Sequence, residues 1–141
     1  MIKIPFACIE KTSNPLIVFK EKKAKITFLN TTRKEYQRVT VDGCVIREGN
    51  KCDFLLVSNE YGDQYFVELK GEDVNHSVEQ LETSMEQLMD KRNNIIHKAF
   101  VVSSNAGMKI DTHRQAIEKR FKNKGVDLLF FHSQSEYRLE R

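Results

Sequence analysis

Cysteine is scarce in this chain: there are three, Cys8, Cys44 and Cys52. The odd count, with no CxxC spacing, argues against a disulfide framework and against a zinc knuckle. Cys44 and Cys52 flank the turn at Glu48-Gly49-Asn50, but a tight hairpin there need not set them opposite each other. All three read as small buried hydrophobes in a reducing compartment. Long apolar runs are also missing. None reaches membrane-spanning length and the N-terminal residues carry no signal-peptide core, so the expectation is a cytoplasmic protein with no membrane partner. Internal repeats and low-complexity segments are absent. Proline occurs twice, at Pro5 and Pro15. Charge is nearly balanced, at +3 with a pI of about 8.7, below the level that alone announces nucleic acid. What remains is one domain of 141 residues, 40% apolar and 30% charged, large enough for a core that needs no staples.

The charges that are present are unevenly placed. Lys20, Lys22, Lys23 and Lys25 form one basic cluster, and Arg114, Lys119, Arg120, Lys122 and Lys124 form another. Between them Glu68, Glu72, Asp73, Glu79, Glu82 and Glu86 make the middle acidic. Each basic cluster can either reach a phosphate backbone or stand as a solvated face.

Residues 1–35 form a poorly defined N-terminal segment of short apolar pieces, Ile2 to Ile9 and Leu16 to Phe19, broken by the prolines. Ile26 to Leu29 fits a strand or a short helix. From Tyr36 to Ile46 the alternation predicts β structure, with a turn at Arg47 to Lys51. Lys51 to Val57 and Gln64 to Gly71 predict two further strands. Val78, Leu81, Met85 and Leu88 then form a helical stripe, with Asn75 as the candidate N-cap and an end near Arg92. Ala99 to Ser104 predicts a strand buried on both faces. A second helix is predicted from Thr112, which with Gln115 matches a capping box, to Gly125. Val126 to Phe131 predicts a last buried strand, and residues 133–141 a frayed polar tail. The order β-β-β-α-β-α-β predicts an α/β domain whose mixed sheet carries an antiparallel meander followed by α-β-α-β.

The chemistry concentrates on the two middle strands. Asp53 opens the first and Glu68-Leu69-Lys70 closes the second, fifteen residues on. Glu68 and Lys70 share one face and Leu69 the other. Mg²⁺ takes oxygen ligands in an octahedron and keeps several waters. Two carboxylates and the Leu69 carbonyl can supply one side of that shell, while Lys70 orients a water or stabilises developing charge. Taken singly, Glu68 and Lys70 equally fit a surface ion pair, and Asp53 a turn cap. Jointly, the pattern points to a site that cuts phosphodiesters. His76, His97, His113 and His132 have no metal-ligand spacing.

This arrangement resembles the PD-(D/E)xK nuclease superfamily over roughly residues 36 to 132. Asp53 matches its Asp, Glu68 its second acid and Lys70 its lysine; Cys52 stands where the motif has proline. The resemblance implies a restriction-endonuclease-like three-layer fold and a Mg²⁺- or Mn²⁺-dependent nuclease acting on DNA. It further implies metal ligation by Asp53, Glu68 and Leu69, and support from a glutamine on the following helix, here Gln80. An upstream acid is frequent in the superfamily, and Glu35 is the best-positioned candidate. Lys20, Lys22, Lys23, Arg114 and Arg120 are the candidate nucleic-acid contacts. So small a chain has little room for a sequence-reading domain, which favours recognition of structure, a homodimer, or a larger complex. The alternative is a nuclease-fold module without catalysis that binds nucleic acid or protein.

Overall fold

A computed structural model of the protein describes residues 3–69, 74–103 and 112–139. The described strands are β1 (Ile9–Thr12), β2 (Leu16–Glu21), β3 (Ala24–Leu29), β4 (Tyr36–Thr40), β5 (Phe54–Ser58), β6 (Gln64–Leu69), β7 (His97–Ser103), β8 (Asp127–His132) and β9 (Gln134–Arg138). The helices are α1 (Val74–Leu88), between β6 and β7, and α2 (Thr112–Asn123), between β7 and β8. A six-stranded sheet runs in the order β1-β4-β5-β6-β7-β8. Its β1-β4-β5-β6 neighbours are antiparallel, and β6-β7-β8 are parallel. The expected mixed α/β sheet, a meander followed by α-β-α-β, is therefore present.

Both faces of that sheet are covered. On one, Leu55, Phe66, Val101 and Leu128 of the strands pack against Val78, Leu81 and Met85 of α1 and Phe121 of α2. On the other, Leu56, Tyr65, Val67, Phe100 and Val102 pack against Ile17, Phe19, Ile26 and Phe28 of β2 and β3. Coverage on both sides explains why β6 is buried at all six positions and reads as a continuous apolar run. The second layer is a small sheet of order β2-β3-β9, in which β2 and β3 form a hairpin and β9 runs parallel to β3.

Several expectations are corrected. The segment 1–35 holds three strands, and Ile26 to Leu29 lies in β3. The polar tail is no tail over its first residues: Gln134–Arg138 is β9. Gln134, Glu136 and Arg138 face solvent while Tyr137 lies against Phe100, ring centroids 5.0 Å apart, so the inward aromatic was masked by its polar neighbours. Beyond Thr40 the strand expected to reach Ile46 gives way to a tight turn. The N–H groups of Cys44, Val45 and Ile46 all point to the Val41 carbonyl, and Gly43 takes a positive φ of 77°. Helix α1 ends at Leu88, and Asn75 lies within its first turn.

The cysteine reading holds for Cys52 alone, which is buried and free. Cys8 and Cys44 form a disulfide with Cα atoms 5.7 Å apart. The β1–β4 register, Ile9 opposite Val39, brings residue 8 beside the turn after β4, a proximity no spacing rule reveals. The cysteine argument for a reducing compartment therefore falls away. No described helix is long and apolar enough to cross a membrane.

Candidate active site

The antiparallel register of β5 and β6, Phe54 opposite Val67, carries Asp53 to the end of β6 where Glu68 and Leu69 lie. Asp53 is held by its backbone as well as its side chain. Its N–H donates to the Val67 carbonyl at 3.1 Å, and its own carbonyl accepts from Val41 and Asp42 N–H at 3.1 and 3.3 Å. Its Oδ2 accepts the Leu69 N–H at 2.8 Å. Asp53 is thereby fixed by β6 and by the turn after β4.

Glu68 is only 6% exposed, and its Oε1 is buried without a hydrogen-bond partner. Burial pushes its carboxyl up to about 9, and the charge of Asp53 adds to the effect. Burial also raises Asp53, to about 6, with the Leu69 N–H opposing and the charges of Glu21 and Asp42 assisting. Glu21, at the end of β2, shares a hydrogen bond with Asp53. The site thus gathers carboxyls from both sheets. The only advance sign of Glu21 was a single acid set inside the run from Lys20 to Lys25.

Lys70 lies outside the described residues. Leu69 is buried and turns its N–H onto Asp53. Gln80 is half-buried on α1, one turn before Ser84. Ser84 is fully buried, and its Oγ accepts the N–H of Cys52 at 2.7 Å, tying the helix to the residue preceding Asp53. Ser84 escaped the sequence reading because it sits in the apolar stripe without interrupting its period. The Cys52 thiol is pushed up to about 12 by burial, which keeps it protonated and unreactive. Glu35 is not the upstream acid. It precedes β4 at the end away from Asp53, where its carboxylate and carbonyl accept hydrogen bonds from Asn59.

The basic candidates divide. Lys20, Lys22 and Lys23 are exposed around the β2–β3 turn, on either side of Glu21. Arg114 and Arg120 are engaged within the protein. Arg114 bonds Glu118 at 3.0 Å and stacks over Phe130, 4.3 Å from its centroid. Arg120 and Lys124 both bind Glu82, at 2.8 and 2.7 Å. Of the histidines, His113 meets Asn75 Oδ1 at 2.9 Å and His97 meets the Asp90 carbonyl at 2.6 Å.

Among the described residues no three or more of His, Cys, Asp and Glu form a ready-made metal-ligand set. The donors at hand nevertheless suit a hard divalent cation. They are carboxyl oxygens, one of them buried and unpartnered, and the Asp53 charge together with burial keeps the Glu68 proton on in the ion's absence. Asp53 and Glu68 would hold such an ion, with the Leu69 carbonyl and waters completing the shell. No protein-family model, curated protein or solved structure matches this chain.

Proposed function

We propose that the chain is a Mg²⁺- or Mn²⁺-dependent phosphodiesterase that hydrolyses the DNA backbone, built as a restriction-endonuclease-like variant of the three-layer α/β arrangement. One observation carries this reading: Glu68 is a buried acid with an unpartnered oxygen, fixed beside a second acid that is itself held by hydrogen bonds to β6 and to the turn after β4. A structural carboxylate would be expected to find a donor, because an unsatisfied buried group costs about 1–3 kcal/mol. A cation-binding pair has a reason to lack one.

The ion, when bound, would lower the pKa of a ligated water and offset negative charge building on the phosphoryl oxygens. The residues of the chain do the remainder. Asp53 and Glu68 fix the position of the ion, and the Leu69 N–H keeps Asp53 aimed. Ser84 holds the entry to β5 in place from α1. Lys70 supplies positive charge to the phosphate oxygens, and Gln80 supports the pair from the helix. Lys20, Lys22 and Lys23, exposed beside Glu21, offset the acidic centre so that a polyanion can approach. A single site of this kind cuts one strand, so cleavage of both would call on a second copy or a partner.

The test is cleavage of labelled single-stranded, duplex and flapped DNA in Mg²⁺ and in Mn²⁺. Wild type is expected to cut, chelator to abolish cutting, and Glu68→Gln and Lys70→Ala each to slow it at least a hundredfold. Salt-dependent binding with no cleavage in any metal would replace this reading with the non-catalytic binding module.

A further inference from the structure

We infer that the Cys8–Cys44 disulfide is a redox switch on the acid pair: closed, it clamps the turn that holds Asp53, and a dithiol reductant opens it and releases that hold. The effect on Asp53 stands on its own, and only the consequence for cation binding rests on the phosphodiesterase reading above.

A short run of bonds joins the sulfur to the acid. Cys44 donates its N–H to the Val41 carbonyl at 3.3 Å, and Val41 donates its own N–H to the Asp53 carbonyl at 3.1 Å. Asp42 gives that carbonyl its second bond, at 3.3 Å. The Asp42 carboxylate also lies close enough for its charge to act on Asp53. Asp53 Oδ2 in turn accepts the Leu69 N–H at 2.8 Å.

The turn is anchored to the core through Val41 and Ile46, while Asp42 and Gly43 are exposed, as are Arg47 to Asn50. Cys44 is tied through its sulfur to Cys8, the last residue of the 3-10 turn ahead of β1. Strand β1 is itself a four-residue edge strand with β4 as its neighbour in the sheet. The disulfide therefore fastens a turn to the strand at the sheet edge. With the bond closed, turn and strand are one unit. With it open, each is held by its own hydrogen bonds and can open locally.

The bond is also placed to be opened. Cys8 is buried, but Cys44 is half-buried on an exposed turn, so an incoming thiolate reaches the Cys44 sulfur. Attack there forms a mixed disulfide and expels Cys8 as a thiolate, which takes up a proton. The second thiol of the reductant then displaces Cys44. The reductant leaves as a disulfide, and two electrons and two protons have passed to Cys8 and Cys44. Cys52 stays out of the exchange, because burial keeps its thiol protonated. A bond that exchanges in this way, fastened to the turn behind Asp53, is the two-state element a switch requires.

The test compares three samples without denaturant: the oxidised chain, the chain reduced with dithiothreitol and desalted under argon, and Cys8→Ser with Cys44→Ser. Amide exchange is read over the first minutes of labelling, and Mn²⁺ binding by calorimetry. Reduction is expected to speed exchange at Val41, Asp42 and Leu69 about tenfold while Ala99 to Val102 in β7 stay protected. It is also expected to weaken Mn²⁺ binding about tenfold, the low end for loss of an outer-shell partner. The double variant is expected to match the reduced chain and to ignore dithiol. Unchanged exchange at Val41 and Asp42, exchange that spreads through β7, equal and measurable Mn²⁺ affinity in both forms, or a dithiol effect that persists in the double variant would each overturn the switch. If neither form binds Mn²⁺ while Leu69 exchange still follows the disulfide, the metal-dependent reading falls and the switch stands.

Discussion

Glu68 holds a carboxyl where water would not leave it ionised, and that makes the folded chain sensitive to pH in a definite direction. Its folded pKa, pushed up to about 9, lies above the ordinary 4.5. The folded state therefore binds a proton more tightly than the unfolded state. Stability from this group is full below about 4.5 and is lost as pH rises through about 9. Asp53 acts the same way over the narrower window from 3.8 to about 6. In chelator, Glu68→Gln is expected to raise the urea midpoint at pH 8 and to leave it unchanged at pH 4. A variant less stable than wild type at pH 8 would show that Glu68 is a satisfied structural group. Asp53 and Glu68 were legible in the sequence because each ends an apolar strand, where an acid has no packing role. Glu21 and Ser84 were not, since one needs the second sheet and the other needs the helix docked before either meets the site.

Among the elements, the β2–β3 hairpin and the turn after β4 bear most directly on the site. The hairpin presents Lys20, Lys22 and Lys23 to solvent, whereas Arg120 is spent on Glu82. For single-stranded DNA, Lys22→Ala with Lys23→Ala is expected to flatten the slope of log K against log salt by about 0.7 for each phosphate no longer neutralised. Arg120→Ala is expected to leave the slope unchanged and to lower stability by loosening α1 from α2. Equal slopes for wild type and the double variant would remove the hairpin from the interface. The turn carries the disulfide, which closes a loop of 36 residues in sequence separation. By loop-closure entropy it contributes about 4 kcal/mol. Reduction, or Cys8→Ser with Cys44→Ser, is therefore expected to lower the urea midpoint sharply, and a midpoint that does not move would contradict the pairing. Strands β4 to β8 and both helices were legible because their periods differ and each apolar set faces one layer. The disulfide was hidden because it depends on the β1–β4 register, and β9 because polar residues alternate with the one aromatic that packs.

At the scale of the molecule, the second sheet is what adds a third acid to the pair. It is assembled from both ends of the chain, with β2 and β3 before the central strands and β9 after them, so no local pattern announces it. It buries the second face of the six-stranded sheet and brings Glu21 to Asp53. Exposed Lys20, Lys22 and Lys23 flank Glu21 on the hairpin beside these acids. Calorimetric titration of the full chain with Mn²⁺ tests this most directly, with Glu68→Gln and Asp53→Asn titrated alongside. Wild type is expected to bind and each variant to bind at least tenfold more weakly. A wild type that gives no heat, or variants that bind Mn²⁺ as tightly as it does, would contradict the metal-holding role of the pair.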